Sequence, residues 1–117
     1  MKMKTAWLVP VALLMAAPAS AQTSGDGSVA GVRSLYETVR GYITAAAEQM
    51  PEGKYSFRPT EEVRSFGEII GHVANSGYMF CAPVLGEKPP SQPDAEKLTS
   101  KAELVAAVKA SFAYCDK

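Results

Sequence analysis

Two copies of one short pattern constrain this chain more than any other feature: Ser65-Phe66-Gly67-Glu68 and Ser100-Lys101-Ala102-Glu103. In a capping box the Ser hydroxyl accepts from the amide three residues on, while the Glu carboxylate reaches back to the Ser amide. Each box marks a helix start, and an apolar helical stripe follows each. After the first come Phe66, Ile69, Ile70, Val73, Gly77 and Phe80; after the second, Leu104, Val105, Val108, Phe112 and Cys115. Residues 83–98, between the two stripes, hold four prolines and no hydrophobic period. Antiparallel neighbours are usually joined by roughly 2–8 residues. A connector of 16 residues can run the length of a bundle, which allows the second and third helices to lie parallel.

Upstream, Val29, Val32, Leu35, Tyr36, Val39, Ile43, Ala46, Ala47 and Met50 recur at three- and four-residue steps, with Glu37, Arg40 and Glu48 on the other face. This pattern predicts an amphipathic helix of about 22 residues, capped by Ser28 and closed by Pro51. In the loop at residues 51–64, Tyr55, Phe57 and Pro59 alternate with Lys54, Ser56 and Arg58, so one side of an extended stretch is expected to lie on the helices. Gly67, Gly71 and Gly77 each weaken the second helix by roughly 1 kcal/mol relative to Ala. Their retention points to a close approach by another element. No repeat is present and no β-alternation persists. The expected fold is all-α, with three amphipathic stripes that leave a bundle open on one side.

The N-terminus reads as an export signal. Lys2 and Lys4 precede an apolar run over residues 6–17, and Ala19-Ser20-Ala21 places small residues where a signal peptidase requires them. The run is short of the roughly 20 residues a membrane-spanning helix needs. The division expected is a signal peptide at 1–21, a flexible spacer at 22–27 and a helical domain at 28–117. The destination is the periplasm or the exterior. Without the leader's two lysines the chain carries ten basic and twelve acidic residues, a balance that offers no footprint for nucleic acid. No membrane contact is expected after cleavage. In an oxidising compartment Cys81 and Cys115 can form one bridge. They lie 16 and 15 residues past their respective Ser caps, so parallel helices that start level bring them to the same height. The alternative is that both are small buried apolar residues.

Residues 49–81, QMPEGKYSFRPTEEVRSFGEIIGHVANSGYMFC, resemble the first half of a DinB-like domain of the DinB/YfiT family of metalloenzymes. The segment KLTSKAELVAAVKASFAYCD resembles that family's third helix. The resemblance implies a four-helix bundle of up-down-down-up topology, of which three helices are present here. It also implies a divalent metal, Zn or Ni, held by three histidines. One belongs to the GHV segment and is His72; the others form an H-x-x-x-H pair on the fourth helix. His72 is the single histidine of this chain, which ends where that helix is expected. The ligand role therefore carries over to His72 alone, and a catalytic metal needs about three protein ligands. No cofactor is expected in this chain unless ligands are supplied elsewhere. A piece of a longer protein and a natural short form are both open.

On a helical wheel His72 flanks the apolar stripe beside Ser76 and Met79, placed to point into a cleft or into water. Glu68, one turn earlier on the same face, could orient it, although the capping box already accounts for Glu68. Tyr55, Phe57 and Arg58 could form a binding edge, but loop aromatics more often pack on a helix. Tyr114 and Asp116 could face a cleft, and the sequence offers them no partner. No Ser-His-Asp set, Gly-rich phosphate loop or CxxC is present. Two functional classes stay open. The first is a domain derived from a metal-dependent hydrolase or thiol transferase; the second is a non-catalytic periplasmic module that binds a ligand or protein through its open groove. An exposed apolar groove also predicts self-association into a homodimer.

Overall fold

The computed structural model describes residues 25–117. The leader at 1–21 and the first part of the expected spacer lie outside the described residues. Three helices follow one another: α1 (Gly25–Gln49), α2 (Phe66–Val84) and α3 (Lys101–Cys115). Short 3₁₀ turns occur at Glu52–Lys54 and Ala95–Lys97, and no strand occurs among the described residues.

The helix starts are only partly those expected. α2 opens on a complete capping box: Glu68 N–H donates to Ser65 Oγ, and Ser65 N–H donates to the Glu68 carboxylate at 2.6 Å. At α3 only half of the box forms. Glu103 N–H donates to Ser100 Oγ at 3.3 Å, but the Glu103 carboxylate accepts from the same hydroxyl and leaves the Ser100 amide alone. A serine hydroxyl can both donate and accept, so it competes with its own backbone for the carboxylate. Ser28 lies within α1 instead of at its cap, because Gly25–Gly27 are already helical. Gly25 and Gly27 weaken a helix without forbidding helical torsions, so part of the expected spacer is helical.

The helix ends are capped by devices that no single motif announces. α2 runs on through Pro83 into the segment read as connector. It closes at Gly86, whose φ of 71° suits glycine. Gly86 N–H donates to Pro83 O and Glu87 N–H donates to Ala82 O, the paired bonds of a Schellman turn. α1 ends without a glycine. Its last carbonyls are taken by side chains instead: Tyr55 Oη donates to Ala47 O at 2.6 Å, and Lys101 Nζ donates to Glu48 O and Met50 O. Lys101 also sets a positive charge at the negative end of the α1 dipole.

α2 and α3 lie parallel. Near their starts Gly67 faces Leu104, midway the Ser111 hydroxyl donates to Ala74 O at 2.7 Å, and near their ends Cys81 and Cys115 are joined by a disulfide with Cα atoms 5.3 Å apart. α1 runs antiparallel to α3. Lys101 meets its C-terminus, Lys109 pairs with Glu48, and Asp116 pairs with Arg40. This is the up-down-down order of a helical bundle. The core combines Ala47, Tyr55, Ile70, Ala74, Ala95, Leu104 and Val108.

The core face of α2 is rotated away from its stripe of large residues. Gly67, Ile70, Gly71, Ala74 and Ala82 are buried, whereas Ile69 and Phe80 are exposed. Small side chains let α3 and the connector come close, and that approach decides which side is covered. On α1 the stripe is covered only towards its C-terminal end, where Ile43, Ala47 and Met50 pack on the core, while Val32, Leu35, Val39 and Tyr42 stay exposed. In the loop Tyr55 is buried as expected. Phe57 is 60% exposed, which corrects the expectation that both would pack on the helices. The chain turns through Glu52–Lys54 there, so the alternation of an extended strand does not apply.

Candidate functional site: His72 and the docked connector

One face of α2 receives the connector, and Gly71 makes this possible. A Cβ at Gly71 would overlap the backbone of Ala95. Asn75, one turn later, holds the same turn by two bonds. Its Nδ2 donates to Asp94 Oδ1 at 2.8 Å, and its Oδ1 accepts from the Ala95 amide at 3.1 Å. Asp94 also accepts from the Glu96 amide, which caps the 3₁₀ turn. The Asn75 hydrogen bond, first, and the Glu96 amide hold the Asp94 carboxyl below its usual range.

His72 lies between Gly71 and Asn75 in sequence, and its side chain is half exposed. Its Nδ1 is 2.7 Å from Glu96 Oε1. Arg64 Nε donates to the other carboxylate oxygen at 2.9 Å. The result is a line of three side chains, Arg64–Glu96–His72, that joins the loop, the connector and α2. Hydrogen bonds from Arg64 and then from His72 keep the Glu96 carboxyl below the usual range.

Glu68 takes no part in this line. Its carboxylate accepts from the Ser65 amide and pairs with Arg58 at 3.0 Å. The capping box therefore accounts for Glu68, and the Ser65 amide is the main cause of its lowered pKa. Tyr114 and Asp116 have partners that the sequence did not show. Tyr114 Oη donates to Glu87 at 2.8 Å, and Asp116 pairs with Arg40 and accepts from Tyr36 Oη. Phe57 and Arg58 are exposed, and Arg58 pairs with Glu68. A cleft lined by Val29, Val32, Tyr36, Arg40, Val84 and Asp116 opens at the other end of α2 from His72.

Among the described residues no three His, Cys, Asp or Glu side chains come together as a metal site. His72 offers one nitrogen, and both oxygens of its nearest carboxylate are engaged by Arg64 and by His72 itself. These residues alone do not fit a three-ligand metal centre.

A family model of the DinB superfamily matches residues 35–117, which include most of α1 and all of α2, the connector and α3. The chain belongs to the DinB superfamily. No curated protein and no solved structure matches it. In this DinB-superfamily domain the sequence singled out His72, and the structure adds Glu96, Arg64 and Asn75 around it. Neither periodicity nor motif spacing could have found them. Glu96 lies 24 residues from His72, on a connector without a hydrophobic period.

Proposed function

We propose that the mature chain is an exported DinB-superfamily domain derived from a metal-dependent hydrolase or thiol transferase, with His72 as its one ligand-type side chain. The observation that carries this reading is the 2.7 Å pair between His72 Nδ1 and Glu96, since a ligating histidine typically gives its other ring nitrogen to a carboxylate. One such ligand binds a cation weakly. Adding Ni²⁺ to the labelled protein is expected to broaden NMR signals around His72, with no tight complex in calorimetry and no broadening in His72→Ala. Broadening centred elsewhere would overturn the reading. A stoichiometric sub-micromolar site lost in His72→Ala would overturn its single-ligand form.

The exposed apolar residues favour a second reading, a non-catalytic helical module that associates through its open side. Val32, Leu35 and Tyr42 on α1 and Phe80 on α2 are each more than 60% exposed. Light scattering discriminates: association weakened by Leu35→Glu and Phe80→Glu supports the module. A monomer at high concentration with a cooperative melt opposes it.

A further inference from the structure

We propose that Glu96 is the positioning residue of His72, delivered by the connector so that Nδ1 carries the ring proton and Nε2 keeps the lone pair. An ionised carboxylate only accepts hydrogen bonds, so a 2.7 Å approach of Glu96 Oε1 to Nδ1 requires a proton on that nitrogen. The carboxylate is not free to swing away, because Arg64 Nε holds its second oxygen at 2.9 Å. The backbone beneath it is fixed as well. Asn75 holds Asp94 and Ala95, and the missing Cβ of Gly71 lets the Ala95 carbonyl lie against α2.

Gly71, His72 and Asn75 thus meet a single turn of the connector, and each contributes differently. Gly71 admits the turn, Asn75 orients it, and His72 receives its carboxylate. The hydrogen bond at one ring nitrogen decides the chemistry of the other. Nε2 is then the atom through which the ring accepts a proton. An imidazole without such a partner prefers the opposite tautomer, with the proton on Nε2, so the proton's position reports the action of Glu96.

This role rests on the reading of His72 given above, yet the tautomer is measured without any metal, so the two fail separately. Because the chain has one histidine, long-range ¹H–¹⁵N correlation spectra of labelled protein report this ring alone. At about pH 9, chosen to sample a neutral imidazole, the wild-type ring is expected to be mostly Nδ1–H. Glu96→Ala should move the ratio of Nδ1–H to Nε2–H about tenfold towards Nε2–H, the equivalent of one charge-assisted hydrogen bond. Glu96→Gln retains an acceptor oxygen and should restore part of the ratio. Glu68→Ala, one turn earlier, should leave it unchanged. A wild-type ring that is mostly Nε2–H would overturn the proposal, and this measurement needs no variant to fold. An unchanged ratio in a folded Glu96→Ala, or an equal shift in Glu68→Ala, would overturn it too.

Discussion

A Cβ on Gly71 would sit 2.5 Å from the carbonyl carbon of Ala95 and 2.7 Å from the Glu96 amide nitrogen. Those atoms are backbone, so no side-chain rotation relieves the overlap. Gly71→Ala should therefore push the connector off α2 and cost about 1–3 kcal/mol despite the better helix propensity of Ala. Gly41→Ala is the contrast. It adds a Cβ in the middle of α1 with nothing within 4 Å, and should stabilise by up to about 1 kcal/mol. Urea melts of the two variants should move in opposite directions.

Tyr55→Phe removes a buried hydroxyl and leaves Ala47 O without its side-chain donor at the end of α1. The expected loss is about 1–3 kcal/mol, the cost of an unsatisfied buried acceptor. Lys101→Met should also destabilise, because two further terminal carbonyls lose their donor. Thermal unfolding followed by circular dichroism reads both.

The Cys81–Cys115 bridge closes a loop across a sequence separation of 34. In the chain-entropy model this is worth roughly 3–4 kcal/mol. Unfolded, unreduced protein should show no free thiol. Reduction, or the double substitution to Ser, should lower the melting temperature by a clear margin. Two titratable thiols in the unreduced protein would rule out the bridge.

Acid should weaken the fold through Glu68 and Asp94. Both carboxyls are held below their usual range in the folded state, by the Ser65 amide and by Asn75 respectively. A depressed folded-state pKa contributes stability that is fully present above the unfolded value, about 3.9–4.3. That contribution is lost as pH falls from there through the folded-state values. Glu68→Gln should be less stable than wild type at neutral pH and should show a shallower acid decline. Parallel acid-side profiles for the two proteins would contradict this assignment.

Much of the fold was legible because its signals are local. The capping residues act over three positions, so Ser65 and Ser100 mark the starts of α2 and α3 whatever surrounds them. The long proline-rich connector and the matched spacing of Cys81 and Cys115 anticipated the parallel pair and its disulfide. The string containing His72 pointed to the DinB superfamily, which the family match over residues 35–117 establishes.

Tertiary structure alone decided which side of α2 is covered and what surrounds His72, whereas the stripe of Leu104 and Val108 on α3 is buried as its spacing predicts. A hydrophobic stripe points to its largest residues, but close packing selects the surface that permits the shortest approach. On α2 that surface is Gly67, Gly71 and Ala74, and Ile69 and Phe80 remain outside. Glu68 was the nearer carboxylate to His72 in sequence, yet a local backbone amide holds it. Glu96 reaches the imidazole only because Gly71 and Asn75 hold a distant turn against the helix. A cap depends on neighbours in sequence and can be read there. The partner of His72 depends on where a periodless connector comes to rest, which is settled only when the chain packs.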